Sequence, residues 1–199
     1  MKKIILSGLL LCLLQPAIAQ TKPAPTTQKA SASLPIPEKV SEAEGISEYK
    51  LANGLKVLVH PDTTTPMAVV NILYNVGAKD ENPEKTGFAH LFEHLMFGGS
   101  VNIPEYDEPL QRAGGENNAY TTNDLTNYYC TLPAENIETA FWLESDRMLS
   151  LAFSEKSLDV QRKVVCEEFK EHYINKPYGD VWHKMRALAY QKHPYRWMT

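Results

Sequence analysis

Gly87-Phe88-Ala89-His90-Leu91-Phe92-Glu93-His94-Leu95-Met96-Phe97-Gly98-Gly99 decides how the rest of the chain is read. It reads as a short helix, with Thr86 capping its N-terminus and Gly98 ending it in a left-handed turn. His90 and His94 are four residues apart and share a face, with Glu93 on its flank. The remaining residues are mostly Phe, Leu, Met and Ala, so the helix is built for burial. A buried carboxylate is costly unless a partner offsets it, and a metal ion beside the imidazoles is one such partner. The plainer alternative is a core helix with two hydrogen-bonded histidines and an ion-paired glutamate.

The pattern His-x-x-Glu-His is the inverted form of the zincin motif. Zinc takes neutral imidazole nitrogens, and a catalytic site uses three protein ligands with one position left open. Glu93 lies off the line joining the two histidines. It is therefore better placed as a general base that takes a proton from water than as the third ligand.

Outward from this helix, the composition fits one globular domain: 199 residues, 43% apolar and 22% charged. Met1-Lys2-Lys3, the apolar run Ile4 to Leu14 and the small-x-small Ala17-Ile18-Ala19 read as a secretory signal peptide over 1–19. That run is short for a membrane span, and the expected location is the bacterial periplasm or outside the cell. The formal charge of −4 becomes −6 once Lys2 and Lys3 leave with the signal. No basic patch with interleaved aromatics is present, which argues against nucleic acid as a partner. Cys130 and Cys166 remain. Two cysteines make no disulfide scaffold, and their pairing is left open.

Residues 20–44 are rich in Pro, Thr, Ser and Ala and are expected to form a flexible linker, with the domain proper over 45–199. Glu48 to Leu51 and Leu55 to His60 flank Asn53-Gly54, a hairpin signal. Met67 to Val76 is nearly all apolar and reads as a central strand. A short helix is expected near Tyr106 to Ala113, strands over Asn117 to Thr121 and Thr126 to Leu132, and helices over Ala134 to Ser150, Ser154 to Asn175 and Asp180 to Gln191. Ile137, Phe141, Leu143 and Met148 are the inward candidates of the first long helix. The order predicts an α+β fold, an antiparallel sheet with helices packed on one face.

The helix over 154–175 offers a candidate third ligand, the plainer alternative being an ion-paired core glutamate. At about 100° per residue, Leu158, Val165 and Phe169 share a face with Val164 on its flank. Glu168 falls between Val164 and Val165, whereas Glu167 points away. Helix phase thus selects Glu168. Gln161 and His172 share its face, and His172 reads as a residue satisfied at an interface. Cys166 reads as a packed thiol. His60, His183 and His193 have no partner at ligand spacing.

These residues resemble the N-terminal domain of the pitrilysin-type zinc metallopeptidases, in particular the processing-peptidase branch, from about Ile46 to Thr199. Gly87 to Gly99 carries the metal motif. Gly115-Glu116-Asn117-Asn118-Ala119-Tyr120-Thr121 with Tyr128-Tyr129 resembles the family's Asn-Ala-aromatic-Thr strand and its partner. Val164-Val165-Cys166-Glu167-Glu168 resembles the segment of the third ligand, 74 residues after His94. The resemblance implies that His90, His94 and Glu168 hold Zn2+, that Glu93 activates water, and that Asn118, Ala119 and Tyr120 lie on an edge strand that pairs with an extended peptide.

Many family members carry a second Glu seven residues before the ligand; here that position is Gln161. The family also builds its chamber from homologous halves, and this chain matches the first, so a C-terminal half or partner subunit is expected. An oxyanion donor is not identifiable: Arg186, Tyr190 and Arg196 have the chemistry but are expected to serve packing. The reading is an exported zinc endopeptidase acting on short or unfolded peptides. The alternatives are a non-catalytic peptide- or partner-binding subunit and a structural metal-binding envelope protein.

Overall fold

The computed structural model describes residues 35–199, so the signal peptide and most of the linker lie outside the described residues. The chain divides at Pro61 into two units.

Within the first unit, strands β1 (Glu38–Ala43), β2 (Ile46–Lys50) and β3 (Lys56–Val59) form an antiparallel meander in that order. Strand β1 falls inside the stretch expected to be linker, a correction to that expectation. Its turn explains it: Glu44 and Gly45 both have positive φ, 51° and 80°, and connect the paired Ala43 and Ile46. That is the geometry of a two-residue hairpin. The expected β2–β3 hairpin is present, with Gly54 at φ 89° and Asn53 Oδ1 accepting from Leu55 N at 3.0 Å.

The second unit carries the α+β core. Strands β4 (Met67–Tyr74), β5 (Glu116–Thr121) and β6 (Thr126–Pro133) form an antiparallel sheet in the order β4-β6-β5. Helices α1 (Phe88–Met96), α2 (Asp107–Arg112) and α3 (Ile137–Ser150) pack against it. The core joins Val70, Cys130 and Leu132 of the sheet to Ile103, Tyr106, Leu110, Ala140 and Leu143.

Apolarity alone misplaced β4. The middle strand is β6, whose alternate residues Tyr128, Cys130 and Leu132 are buried beneath the helices. Strand β4 alternates instead, with Val70 inward and Val69 64% exposed on the other face.

Helix α3 also corrects the expectation. Leu143 is buried, but Phe141 and Met148 are exposed, and the inward stripe runs through Ala140, Glu144 and Arg147. The reason is a buried polar cluster. Glu144 accepts from Tyr106 Oη at 2.6 Å and from Arg147 Nε and Nη2 at 2.9 and 2.7 Å. The guanidinium lies 4.5 and 4.6 Å from the ring centres of Tyr106 and Tyr128. A paired charge over aromatic faces can be buried where a lone one cannot.

Helices α4 (Glu155–Phe169) and α5 (Val181–Ala189) follow, with a π-helical segment, Lys170–Ile174, between them. No residue of α4 is fully buried, and Leu158, Val164 and Phe169 are exposed, contrary to expectation. Its half-buried seam is Ser157, Gln161, Val165 and Glu168. Cys166 is exposed, not packed, and both Cys130 and Cys166 are free thiols. Among the described residues, no helix is long and apolar enough to cross a membrane.

Candidate metal centre

Helix α1 meets α4 and β5 over one cleft of about 490 Å³. Helix α1 contributes His90, Glu93 and His94 and its C-cap adds Phe97, β5 contributes Asn118 to Thr121, and α4 contributes Gln161 and Glu168. His172 of the π-helical segment also lines it, so it faces the cleft and is exposed, not tucked into an interface.

The α1 termini differ from the expectation. Thr86 does not cap the helix. The N-cap is Gly87, at φ 89°, and no side chain in the adjoining turn caps it. The carboxylate of Glu81 instead accepts from Gly87 N at 2.8 Å and Ala89 N at 2.6 Å. At the other end the left-handed residue is Gly99, at φ 82°, one position beyond Gly98. A Cβ on Gly99 would come within 2.6 Å of the Ile103 carbonyl oxygen, so the site requires glycine twice over.

The three expected donors converge. His90 Nε2 and His94 Nε2 are 3.1 Å apart, and Glu168 Oε2 lies 3.5 and 3.3 Å from them. Bond lengths of about 2.0–2.2 Å in tetrahedral zinc correspond to ligand–ligand distances of about 3.3–3.6 Å. The triangle of donors therefore fits a small tetrahedral ion with little rearrangement. All three residues are half-buried. Burial pushes the His90 imidazole below its usual value, against the opposing pull of Glu168 and Glu81. That favours the neutral ring, the state a metal needs.

Glu93 is 7% exposed and is not one of the converging donors. Its Oε2 accepts a hydrogen bond from the Thr121 hydroxyl. Burial raises its pKa, while the Thr121 bond and His94 pull the other way. A carboxylate in that state is a stronger base than an exposed one. Glu167 lies outside the cleft and pairs with Lys170 at 2.7 Å.

Strand β5 is at the edge of its sheet among the described residues. Asn118 and Tyr120 are exposed and Ala119 is half-buried. The Ala119 N–H bonds to Asn118 Oδ1 at 2.8 Å. Arg186, expected to serve packing, bonds through Nη1 to Asn123 Oδ1 at 2.7 Å, and Tyr190 stacks edge-on to Tyr195. No Arg or Lys lines the cleft among the described residues.

Sequence reasoning missed Glu81 and Thr121. Glu81 lies seven residues before the first residue of the helix it caps, outside any local capping pattern. Thr121 reaches Glu93 across 28 positions, with only strand alternation to hint that it faces the helix.

Residues 56–196 match the protein family described as Insulinase (Peptidase family M16). The chain is 35% identical over 150 residues to the zinc protease PqqE of Helicobacter pylori, covering 74% of this chain and 34% of that protein. It is 30% identical over 165 residues to human insulin-degrading enzyme, covering 80% of this chain and 16% of the enzyme. A crystal structure of a protease from Helicobacter pylori superimposes with a TM-score of 0.71 at 34% identity, over 83% of this chain and 38% of that one. The chain therefore spans about a third of the length of PqqE.

Proposed function

The chain belongs to the insulinase family of peptidases, Peptidase family M16, and from that premise we propose that it is the metal-holding domain of an exported zinc endopeptidase. Zinc is the metal of the family's proteases. His90, His94 and Glu168 hold it, and Glu93 is the general base. The observation that carries this reading is the convergence of three donor atoms at 3.1–3.5 Å beside a buried, separately anchored carboxylate.

When bound, zinc supplies a Lewis acid that makes water more acidic and polarises the scissile carbonyl. The chain's own residues do the rest. Glu93 takes a proton from the attacking water as the new C–O bond forms at the carbonyl carbon. It then delivers that proton to the amide nitrogen as the C–N bond breaks. The Thr121 hydroxyl holds the carboxylate in one orientation through both transfers. Asn118, Ala119 and Tyr120 on the β5 edge pair with the backbone of an extended peptide, which suits short or unfolded substrates of varied sequence. The Asn118 side chain gives up the Ala119 N–H when the peptide arrives.

A tetrahedral oxyanion needs donors besides the metal. The lack of any Arg or Lys in the cleft among the described residues supports a homologous C-terminal half or partner subunit that completes the site. The apolar run and small-x-small site near the N-terminus support export.

The deciding experiment compares wild type with Glu93→Gln in an assembly, the longer protein or the chain with its partner half, that is active as wild type. The variant should keep zinc and lose about 10³-fold in turnover of an unstructured peptide. Turnover that persists in Glu93→Gln, or that survives a chelator in the wild type, would remove Glu93 or the metal from the mechanism.

A further inference from the structure

The N-terminus of α1 has no local cap and no acidic residue in its first turn. Helix starts without such groups leave amide donors and a partial positive charge unmet. Both are met here from outside the helix, because the two oxygens of Glu81 take the amides of Gly87 and Ala89 separately. Ala89 immediately precedes His90. Glu81 therefore grips the backbone one residue from a metal-facing side chain.

Glu81 is itself anchored. It ends a 3-10 turn, Ala78–Asp80, whose amides bond to the β5–β6 turn: Ala78 N to Thr122 O at 3.0 Å and Lys79 N to Asn123 O at 2.8 Å. Gly77 permits that approach, since a Cβ there would lie 2.6 Å from three backbone atoms of the same turn. Trp197 Nε1 closes over the outside by donating to Ala78 O at 2.7 Å. The residue before that turn is Thr121, which bonds to Glu93. One hairpin thus indexes α1 twice, through Glu81 at its start and through Thr121 at its middle.

We infer that Glu81 is a positioning residue, whose carboxylate sets the axial and rotational placement of α1 against the β5–β6 hairpin and so the aim of His90 and His94. This rests on the metal-site reading above. Removing the cap frees the first turn to slide or unwind, and the two imidazoles then lose their common focus while the sheet stays intact.

The test measures zinc affinity by chelator competition, the visible spectrum of the cobalt-substituted protein and amide exchange at Gly87 and Ala89. Glu81→Ala should lose about tenfold or more in zinc affinity, in the range known for groups that orient metal ligands. Its cobalt spectrum should lose intensity from the four-coordinate bands, and both amides should exchange faster. Glu81→Gln keeps one acceptor oxygen and no charge and should fall between. Thr86→Ala should match wild type throughout. Should Glu81→Ala fail to fold, the isosteric Glu81→Gln decides, because it leaves the packing intact. Wild-type zinc affinity and wild-type amide protection in Glu81→Gln would overturn the inference. A wild type that binds no zinc would instead overturn the metal-site reading, and the two amides would still report whether Glu81 holds the helix.

Discussion

Helices α1 and α4 bring donors to the same point, but they are held there by different means. Helix α1 buries Glu93, Leu95 and Met96, is capped by a carboxylate from a distant loop, and is clamped at its middle by Thr121. Helix α4 buries nothing completely, presents one half-buried seam to α1 and continues into a widened π-helical turn that begins at Lys170, two residues after Glu168. The two histidines and Glu93 are therefore preorganised by the fold. The third donor rides on an element with little packing of its own. The difference teaches that half of this site is made by folding and that, on the proposed function, the other half would be completed by a metal linking α4 to α1 through Glu168.

Removing zinc should separate the two helices most. A ligand at about 1,000 times its Kd stabilises the folded state by about 4 kcal/mol. In amide exchange, amides in the C-terminal half of α4 around Glu168 should lose most of their protection on chelation, while α1 and the β4-β6-β5 sheet should keep theirs. Equal loss in both helices would break the comparison, since it would mean that α1 depends on the metal as much as α4 does.

The next effect sharpens it. Glu168→Gln keeps the shape and removes the charge, and zinc affinity should fall by more than about 100-fold, beyond the range of outer-shell groups. Glu167→Gln should leave affinity unchanged, because Glu167 is exposed and pairs with Lys170. A loss of affinity in Glu167→Gln would place the ligand on the wrong face of α4.

The contrast also explains what could be read in advance. The convergence of His90 and His94 was legible because their spacing is local: the two share a face at any register. Glu168 was legible from helix phase, even though the surrounding core list was not. Leu158, Val164 and Phe169 look inward by hydropathy but are exposed, because α4 meets the rest of the unit along a seam only one residue wide. The α3 stripe was hidden for the opposite reason: Glu144 and Arg147 look outward by charge and are buried as a pair beneath Tyr106 and Tyr128. The centre of the sheet was hidden as well, since Thr126-Asn127-Tyr128-Tyr129 reads as polar and is the middle strand. In each case the deciding term was a tertiary partner with no local signature, and the Glu81 cap is the extreme example.

The smallest expected effect concerns the helix caps. Ser154 is extended, at φ −139° and ψ 154°, and its hydroxyl accepts from Ser157 N at 3.0 Å, so it caps α4 from the adjoining residue. Thr86 precedes a left-handed Gly87 whose amide is already taken by Glu81. Ser154→Ala should therefore cost about 1 kcal/mol and Thr86→Ala only a few tenths at most. Because α4 has no fully buried residue to tie it to global unfolding, the Ser154 loss should register as local fraying. Amides in the first turn of α4 should exchange about fivefold faster, with a smaller shift in Tm than the same loss would give in a packed helix. Adding zinc should not rescue it, since Glu168 lies eleven residues from Ser157 along the helix and ties down only the far end. Greater fraying in Thr86→Ala than in Ser154→Ala would mean that α1 depends on its adjoining threonine, and the external grip of Glu81 would have to be given up.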